Sequence, residues 1–270
     1  MSEVMSYAYA VARDADGTLG DALSGLPGVA DEPLHLVRGG GGGDVVVAVS
    51  PVPAQDFGEA ALRRHLEDLD WLESVARAHH GVIEALAERA TVLPLRLATV
   101  YLDDDRVRGM IDASHDAFSE RLADLAAHVE WGVKIYVEAP AAAESPAAPP
   151  AEQDAAPGRA YLRQRRAQRS AREDTYREAQ RAAERVEAAA RGYAVDRVQH
   201  RPQQGELARG PGENVSNDAY LVPADRAESF RTEVAGAAEG LAGVRVEVTG
   251  PWAPYSFAAP PEEPAERAAP

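Results

Sequence analysis

The stretch from Leu62 to Tyr101 constrains the fold more than any other part of the chain. Leu62, Leu66, Leu69, Leu72, Ala76, His79, Ile83 and Leu86 recur at spacings of three and four. Such a rhythm puts them on one face of a helix. Arg63, Arg64, Glu67, Asp68, Asp70, Arg77, Glu84 and Glu88 fall on the other face. The pattern then switches to a nearly unbroken apolar run from Val92 to Tyr101, which suits a central strand, or one pressed on both sides, better than a half-exposed one. A helix running straight into a buried strand is one half of an α/β packing unit, so the flanking segments must complete a sheet.

Upstream, Tyr7–Ala12, Leu34–Val37 and Val45–Val49 are β-prone. A short helix fits Leu19–Leu26, and the five glycines from Gly39 to Gly43 form a hairpin loop. Asp56 followed by Glu59 is a capping-box pattern for the long helix. The order β-α-β-β-α-β is that of a split-βαβ, or ferredoxin-like, unit. One helix from Glu59 to Arg89 would be about 45 Å long against about 33 Å for a ten-residue strand. It is therefore expected to overhang the sheet or to break near His79-His80-Gly81.

Val107, Ile111, Phe118, Leu122 and Leu125 mark a further helix, and Val129–Glu138 alternates as a strand. A second β-α-β-β-α-β series follows, with a long Arg- and Ala-rich helix from Arg159 to Arg191 and a last strand at Val244–Val248. The expected fold class is α+β: two ferredoxin-like modules with antiparallel sheets, joined by a helix. The boundaries are an N-terminal module at residues 1–105, a connecting helix at 106–127 and a C-terminal module at 128–258. Residues 139–157, rich in Ala and Pro, are expected to be a flexible linker, and 259–270 a disordered tail.

Charge and composition narrow the function classes. A formal net charge of -16 opposes a broad nucleic-acid interface and adhesion to anionic membranes. With no cysteine there is no disulfide, thiolate nucleophile or Cys-based zinc site. No apolar run approaches the roughly 20 residues of a membrane span, and the first residues lack a signal-peptide pattern. A soluble cytoplasmic protein that binds neither nucleic acid nor membrane is expected.

The residues that can carry chemistry give no catalytic pattern. His65, His79 and His80 share the long helix without a metal-ligand spacing, and His79 reads as a satisfied semi-buried residue. Gly39–Gly43 lacks the lysine and hydroxyl of a phosphate loop, and Asp103-Asp104-Asp105 reads as a solvated turn. Arg96 is the odd residue of the apolar strand. If buried it must be paired, either with a helix carboxylate or with an anion or partner. Arg163, Arg166, Arg169 and Arg172 form one basic block. It serves intrahelical ion pairs or docking onto an acidic partner, which includes this protein's own acidic half. After the last strand, Trp252, Tyr255 and Phe257 lie in a Pro-rich segment that either covers the end of the sheet or presents a partner-binding patch. Arg96, Trp252, Tyr255 and Phe257 are thus the candidate partner contacts. No catalytic, cofactor-binding or metal-ligating residue is assigned.

Several segments together carry a family resemblance: YAYAV, VAVSPVP, HLEDLDWLESVARAHH, VLPLRLATVY, EWGVKIYVE, AYLV and VEVTGPWAPYSFA. In that order, across Tyr7 to Ala258, the chain resembles the gas vesicle protein F/L family (GvpF/GvpL). The resemblance implies a minor gas vesicle component or assembly accessory protein that contacts the small, very hydrophobic shell protein GvpA, with other gas vesicle accessory proteins as further candidate partners. It implies no cofactor and no catalytic residue. The competing class is a two-module ferredoxin-like small-molecule-binding protein or enzyme, which requires a cleft with convergent polar groups.

Overall fold

The computed structural model describes residues 4–40, 43–65, 67–138, 157–203 and 212–258, with side chains of the long helix from residue 162 onward. The expected linker, apart from Pro157, and the expected tail lie outside the described residues, as do Gly41, Gly42 and Leu66. The protein is α+β and is built from two units, Met1–Val129 with Trp252–Pro270, and Glu130–Pro251.

In the first unit, strands β1 (Val4–Arg13), β2 (His35–Arg38), β3 (Val45–Pro53) and β4 (Val92–Pro94) form an antiparallel sheet in the order β2-β3-β1-β4, and β5 (Val100–Tyr101) also pairs with β1. This is the ferredoxin-like order. Helices α1 (Leu19–Leu23) and α4 (Leu69–Ala87) cover one face, where Val75, Val82, Ile83 and Leu86 meet Tyr7, Ala10, Ala12, Val46 and Ala48. Residue Tyr9 is an extra residue in β1, because Ala8 pairs with Val49 and Ala10 with Ala48. That bulge shifts the alternation by one, which lets Tyr7 and then Ala10 and Ala12 all reach the same core.

The helix between the modules, α5 (Asp104–Asp124), packs on β1, β2 and β3. It therefore belongs to the first unit rather than standing apart as a 106–127 connector. With both faces covered, Val45, Val46, Val47, Ala48 and Val49 are all buried, as the continuous apolar run requires. The glycine loop closes onto α5: Gly40 N–H donates to Asp112 at 2.8 Å. A Cβ on Gly39 would stand 2.8 Å from Asp112 Oδ1, and one on Gly43 2.8 Å from His115 Nε2. At these two ends of the run the backbone lies against the Asp112 and His115 side chains, which would have to shift to admit a Cβ.

Two expectations fail in this unit. The long helix does not run from Asp56, nor does it break at His79-His80-Gly81. It divides into α2 (Ala54–Phe57), α3 (Glu59–His65) and α4. Asp68, not Asp56, is the cap: its side chain accepts from Asp70 N–H and Trp71 N–H. The break resets the helical phase, so Leu69 is 67% exposed while Trp71 and Val75 turn inward. The second failure is the strand at Val92–Tyr101. Pro94 has no N–H to continue the ladder. Leu95 N–H still reaches Tyr9 O at 2.9 Å, and Ala8 N–H reaches Thr99 O at 2.9 Å. Arg96, Leu97 and Ala98 loop out between those bonds, and pairing resumes at Tyr7 with Val100. Arg96 is consequently exposed and does not occupy a buried charge site.

Ala98 sits at φ 61°, a left-handed conformation costing a non-glycine residue about 1–2 kcal/mol. Ala98→Gly should therefore stabilise the first unit by about 1 kcal/mol, net of the greater freedom of glycine in the unfolded chain. Urea denaturation checks this; a lower midpoint in the variant would contradict it.

The second unit repeats the topology. Strands β6 (His128–Val137), β7 (Asp196–His200), β8 (Glu213–Pro223) and β9 (Val244–Trp252) lie in the order β7-β8-β6-β9. Helices α6 (Pro157–Ala190) and α7 (Ala227–Ala235) pack together and on β8. Phe230 of α7 meets the rings of Trp131 and Tyr220 at 6.2 and 5.6 Å. Asp218, also buried, is held by Arg197 at 2.8 Å and by Ser216 Oγ at 2.5 Å, so its charge is compensated.

Candidate functional site

One concavity of the first unit lies where β1 begins and β3 ends. Three local features build it. β3 closes on Ser50-Pro51-Val52-Pro53, and Pro53 feeds directly into α2, which turns Phe57 inward. The Asp68 cap fixes the first turn of α4 and with it Trp71, whose N–H it binds at 3.2 Å. Trp71 then packs on Phe57, with centroids 5.6 Å apart, and stacks on His65 at 4.9 Å and 16°. The result is a groove of about 700 Å³ with Val4, Val29, Val52, Phe57 and Trp71 along its floor and Asp31, Glu32 and Asp56 at its rim. Val4 is 59% exposed.

A second hollow of about 400 Å³ shares Val4 and Pro51 with the first and carries Asp103, Asp104 and Asp105. Ser6 Oγ donates to Asp104 at 2.6 Å, and His35 Nε2 lies 2.8 Å from its other oxygen. Burial pushes the Asp104 carboxyl up, but these two bonds, with the attraction of His35 and Arg108, together outweigh it and hold the carboxyl below its ordinary range. Asp103 caps α5 through Arg106 N–H at 2.8 Å. The three acids thus divide between capping and ion pairing, and Asp105 pairs with Arg108. An apolar floor bordered by carboxylates suits an apolar segment bearing cations.

The histidines are kept apart by the packing. Tyr7 Oη lies 3.0 Å from His79 Nδ1, and His79 Nε2 lies 3.2 Å from Leu95 O. A carbonyl only accepts, so Nε2 carries the proton and Nδ1 accepts from Tyr7, whose oxygen in turn accepts from Ala98 N–H at 3.0 Å. Burial drives the His79 pKa down to about 4 and raises that of Tyr7. Every polar atom in this chain of bonds has a partner, which makes it a structural network. His80 faces the C-terminal segment instead, 2.8 Å from Tyr255 Oη and 3.1 Å from Glu84. Among the described residues, no three His, Asp or Glu side chains are grouped to hold a metal ion.

The candidate contacts read from the sequence are dispersed. Arg96 is exposed on the looped-out turn, where its carbonyl accepts from Thr99 Oγ1 at 2.7 Å. Trp252 and Tyr255 are 37% and 36% exposed, and both rings lie against His80. Phe257 is 2% exposed and its carbonyl accepts from Arg121 at 2.6 and 2.8 Å, so it is a core residue. The groove residues Val4, Phe57 and Trp71 carried no local signal of a shared site, because they come from three separate elements.

Residues 5–259 match the family model described as gas vesicle synthesis protein GvpL/GvpF. The chain is 46% identical over 259 residues to gas vesicle protein L of Streptomyces sp. (strain CB03234), covering 96% of this chain and 94% of that protein. To gas vesicle protein F of the same strain it is 27% identical over 259 residues, covering 93% and 98%. Among solved structures, the crystal structure of GvpF from Anabaena sp. PCC7120 superposes with a TM-score of 0.64 at 18% identity, covering 95% of this chain and 96% of that one. GvpF from Microcystis aeruginosa gives 0.62 at 22% identity, covering 94% and 99%. At those identities the two structures attest to the fold.

Proposed function

We propose that this chain, which belongs to the gas vesicle GvpL/GvpF family, is a minor structural and assembly protein of the gas vesicle that holds the hydrophobic shell protein GvpA while the shell forms. It works in the cytoplasm, at the growing vesicle, and carries out no catalytic step. The observation that supports this role is the groove floored by Val4, Val52, Phe57 and Trp71. An apolar floor of that size favours burial of apolar side chains at about 25 cal/mol per Å². The high negative charge of the rest of the molecule keeps a complex with an aggregation-prone partner soluble.

The edges of the first sheet are poor templates for strand addition. β2 has four residues, and β4 and β5 are separated by the looped-out turn. This favours the groove over the edges of the first sheet as the seat of GvpA. The test is capture of co-expressed GvpA by tagged full-length protein. Val4→Asp, at an exposed position, and Trp71→Ala should each lower capture at least about tenfold, equivalent to about 1.4 kcal/mol. Val195→Asp, equally exposed in the second unit, should not. Full capture by both groove variants, or none by the unaltered protein, would remove the proposal.

A further inference from the structure

Among its described side chains, the first half of α6 has none that is buried. Side chains from Leu162 to Ser170 are all exposed, and burial starts only at Thr175, continuing through Ala179, Ala182, Val186 and Ala190 on one face. Residues 157–172 contain six arginines and no carboxylate, in a chain whose formal net charge is -16. The expected intrahelical ion pairs do form further along, between Arg169 and Glu173 at 2.9 Å and between Arg191 and Glu187 at 3.1 Å. Arg163 and Arg166 have no carboxylate within helical reach. The stretch is about 24 Å long at 1.5 Å per residue. Leu162, 61% exposed, shares a face with Arg165, Arg166 and Arg169, which follow it at i+3, i+4 and i+7.

We propose that this basic arm docks, in trans, on the acid-rimmed groove of a second copy of the chain. The two surfaces are complementary in charge and in apolar content. The arm offers a row of guanidinium groups beside one apolar residue. The groove offers an apolar floor, an indole and the carboxylates of Asp31, Glu32 and Asp56, continuous through Val4 with Asp103 and Asp105. Leu162 enters the floor, and the guanidinium groups reach the rim carboxylates and the face of Trp71. Arm and groove are different surfaces, so the contact is heterologous. Each pair keeps one free arm and one free groove, and association propagates head to tail.

The arm and GvpA would compete for the same groove, so self-association is tested with no GvpA present, and its failure would leave the GvpA reading to its own test. Sedimentation velocity on the full chain should give a weight-average mass at least about twofold above the monomer near 50 mM salt. It should fall to the monomer near 500 mM, where the screening length is only a few ångströms. Reversing the arm (Arg163→Glu, Arg166→Glu, Arg169→Glu) should abolish association. So should reversing the rim (Glu32→Arg, Asp56→Arg). An equimolar mixture of the two variants should restore it, since each then meets an opposite charge. All these positions are surface-lying, and matched thermal melts confirm that the variants fold. Three results would each overturn the proposal: a monomer at low salt up to about 100 μM, association indifferent to either reversal, or no rescue on mixing. Binding of the arm to a DNA duplex in place of self-association would overturn it too, reassigning the arm to a polyanion.

Discussion

Acidification from pH 6.5 to pH 4 should remove roughly 3 kcal/mol from the stability of the first unit, through His79 alone. His79 is 4% exposed and its pKa is lowered from 6.5 to about 4 by burial. The folded protein keeps the ring neutral because Nδ1 must accept from Tyr7 while Nε2 donates to Leu95 O. A proton on Nδ1 would face the Tyr7 hydroxyl, whose hydrogen already points at it, and the charge would be cut off from water. The unfolded chain binds that proton at about 6.5, so between the two values it holds more protons than the folded one. Stability therefore rises with pH across this window, complete above 6.5 and lost by about 4. A tenfold weaker hold on the proton is worth about 1.4 kcal/mol, and the fall from 6.5 to about 4 sets the magnitude. Asp104 does not confuse the result: its lowered pKa makes its contribution disappear only below the ordinary 3.8, under the window. Denaturation with urea at half-unit pH steps, followed by hydrogen exchange of β1 amides, measures the slope. His79→Gln keeps one acceptor and one donor but cannot titrate, and should flatten the profile. An equally steep profile in that variant would show that other groups carry the acid sensitivity.

The same helix shows what local sequence does and does not encode. Its existence and its hand-over to a strand follow from a 3.6-residue rhythm giving way to an apolar run, and both are in the structure. The phase after Asp68 was not legible from that rhythm. A leucine at 62, 66, 69 and 72 satisfies an unbroken helix, and only the Asp68 cap shows that Leu69 faces solvent while Trp71 and Val75 face inward. The Val92–Tyr101 run misled for a related reason. Apolar residues fill the loop as well as the strands, Pro94 was the one warning, and nothing local announces the left-handed Ala98. Arg96 was misplaced with them. The groove was invisible because Val4, Phe57 and Trp71 meet only after β1, α2 and α4 are assembled. The basic arm, by contrast, was plain in the sequence. Its one hidden property was that burial begins only at Thr175, which no periodicity in an Arg- and Ala-rich helix declares.

Phe257→Ala should destabilise the first unit by about 3–5 kcal/mol, the range for emptying a buried aromatic site. The residue closes a segment whose destination is the notable feature of this fold. β9 ends at Trp252, and from there the chain belongs to the unit formed by residues Met1–Val129. Ala253 enters the core around Tyr7 and Leu86, and Phe257 is 2% exposed. Arg121 of α5 grips the Phe257 carbonyl with two N–H groups at 2.8 and 2.6 Å, a charge-assisted clamp stronger than a neutral bond. His80 meets both Trp252 and Tyr255. Truncating Phe257 opens a cavity and also loosens the clamp, because the carbonyl it positions is no longer held by packing. The first unit is thus sealed by the far end of the chain, and a fragment ending at residue 129 would lack part of its own core. Tyr255→Ala, at a 36% exposed position, should cost far less, about 1 kcal/mol for its ring contacts and its bond to His80. Thermal unfolding of the two full-length variants separates the cases. If Phe257→Ala melted with Tyr255→Ala and both within about a degree of the unaltered protein, the segment would be a surface strap rather than core. With the expected gap, it is the closing element of the first unit, and Trp252 and Tyr255 remain as the exposed part of that closure.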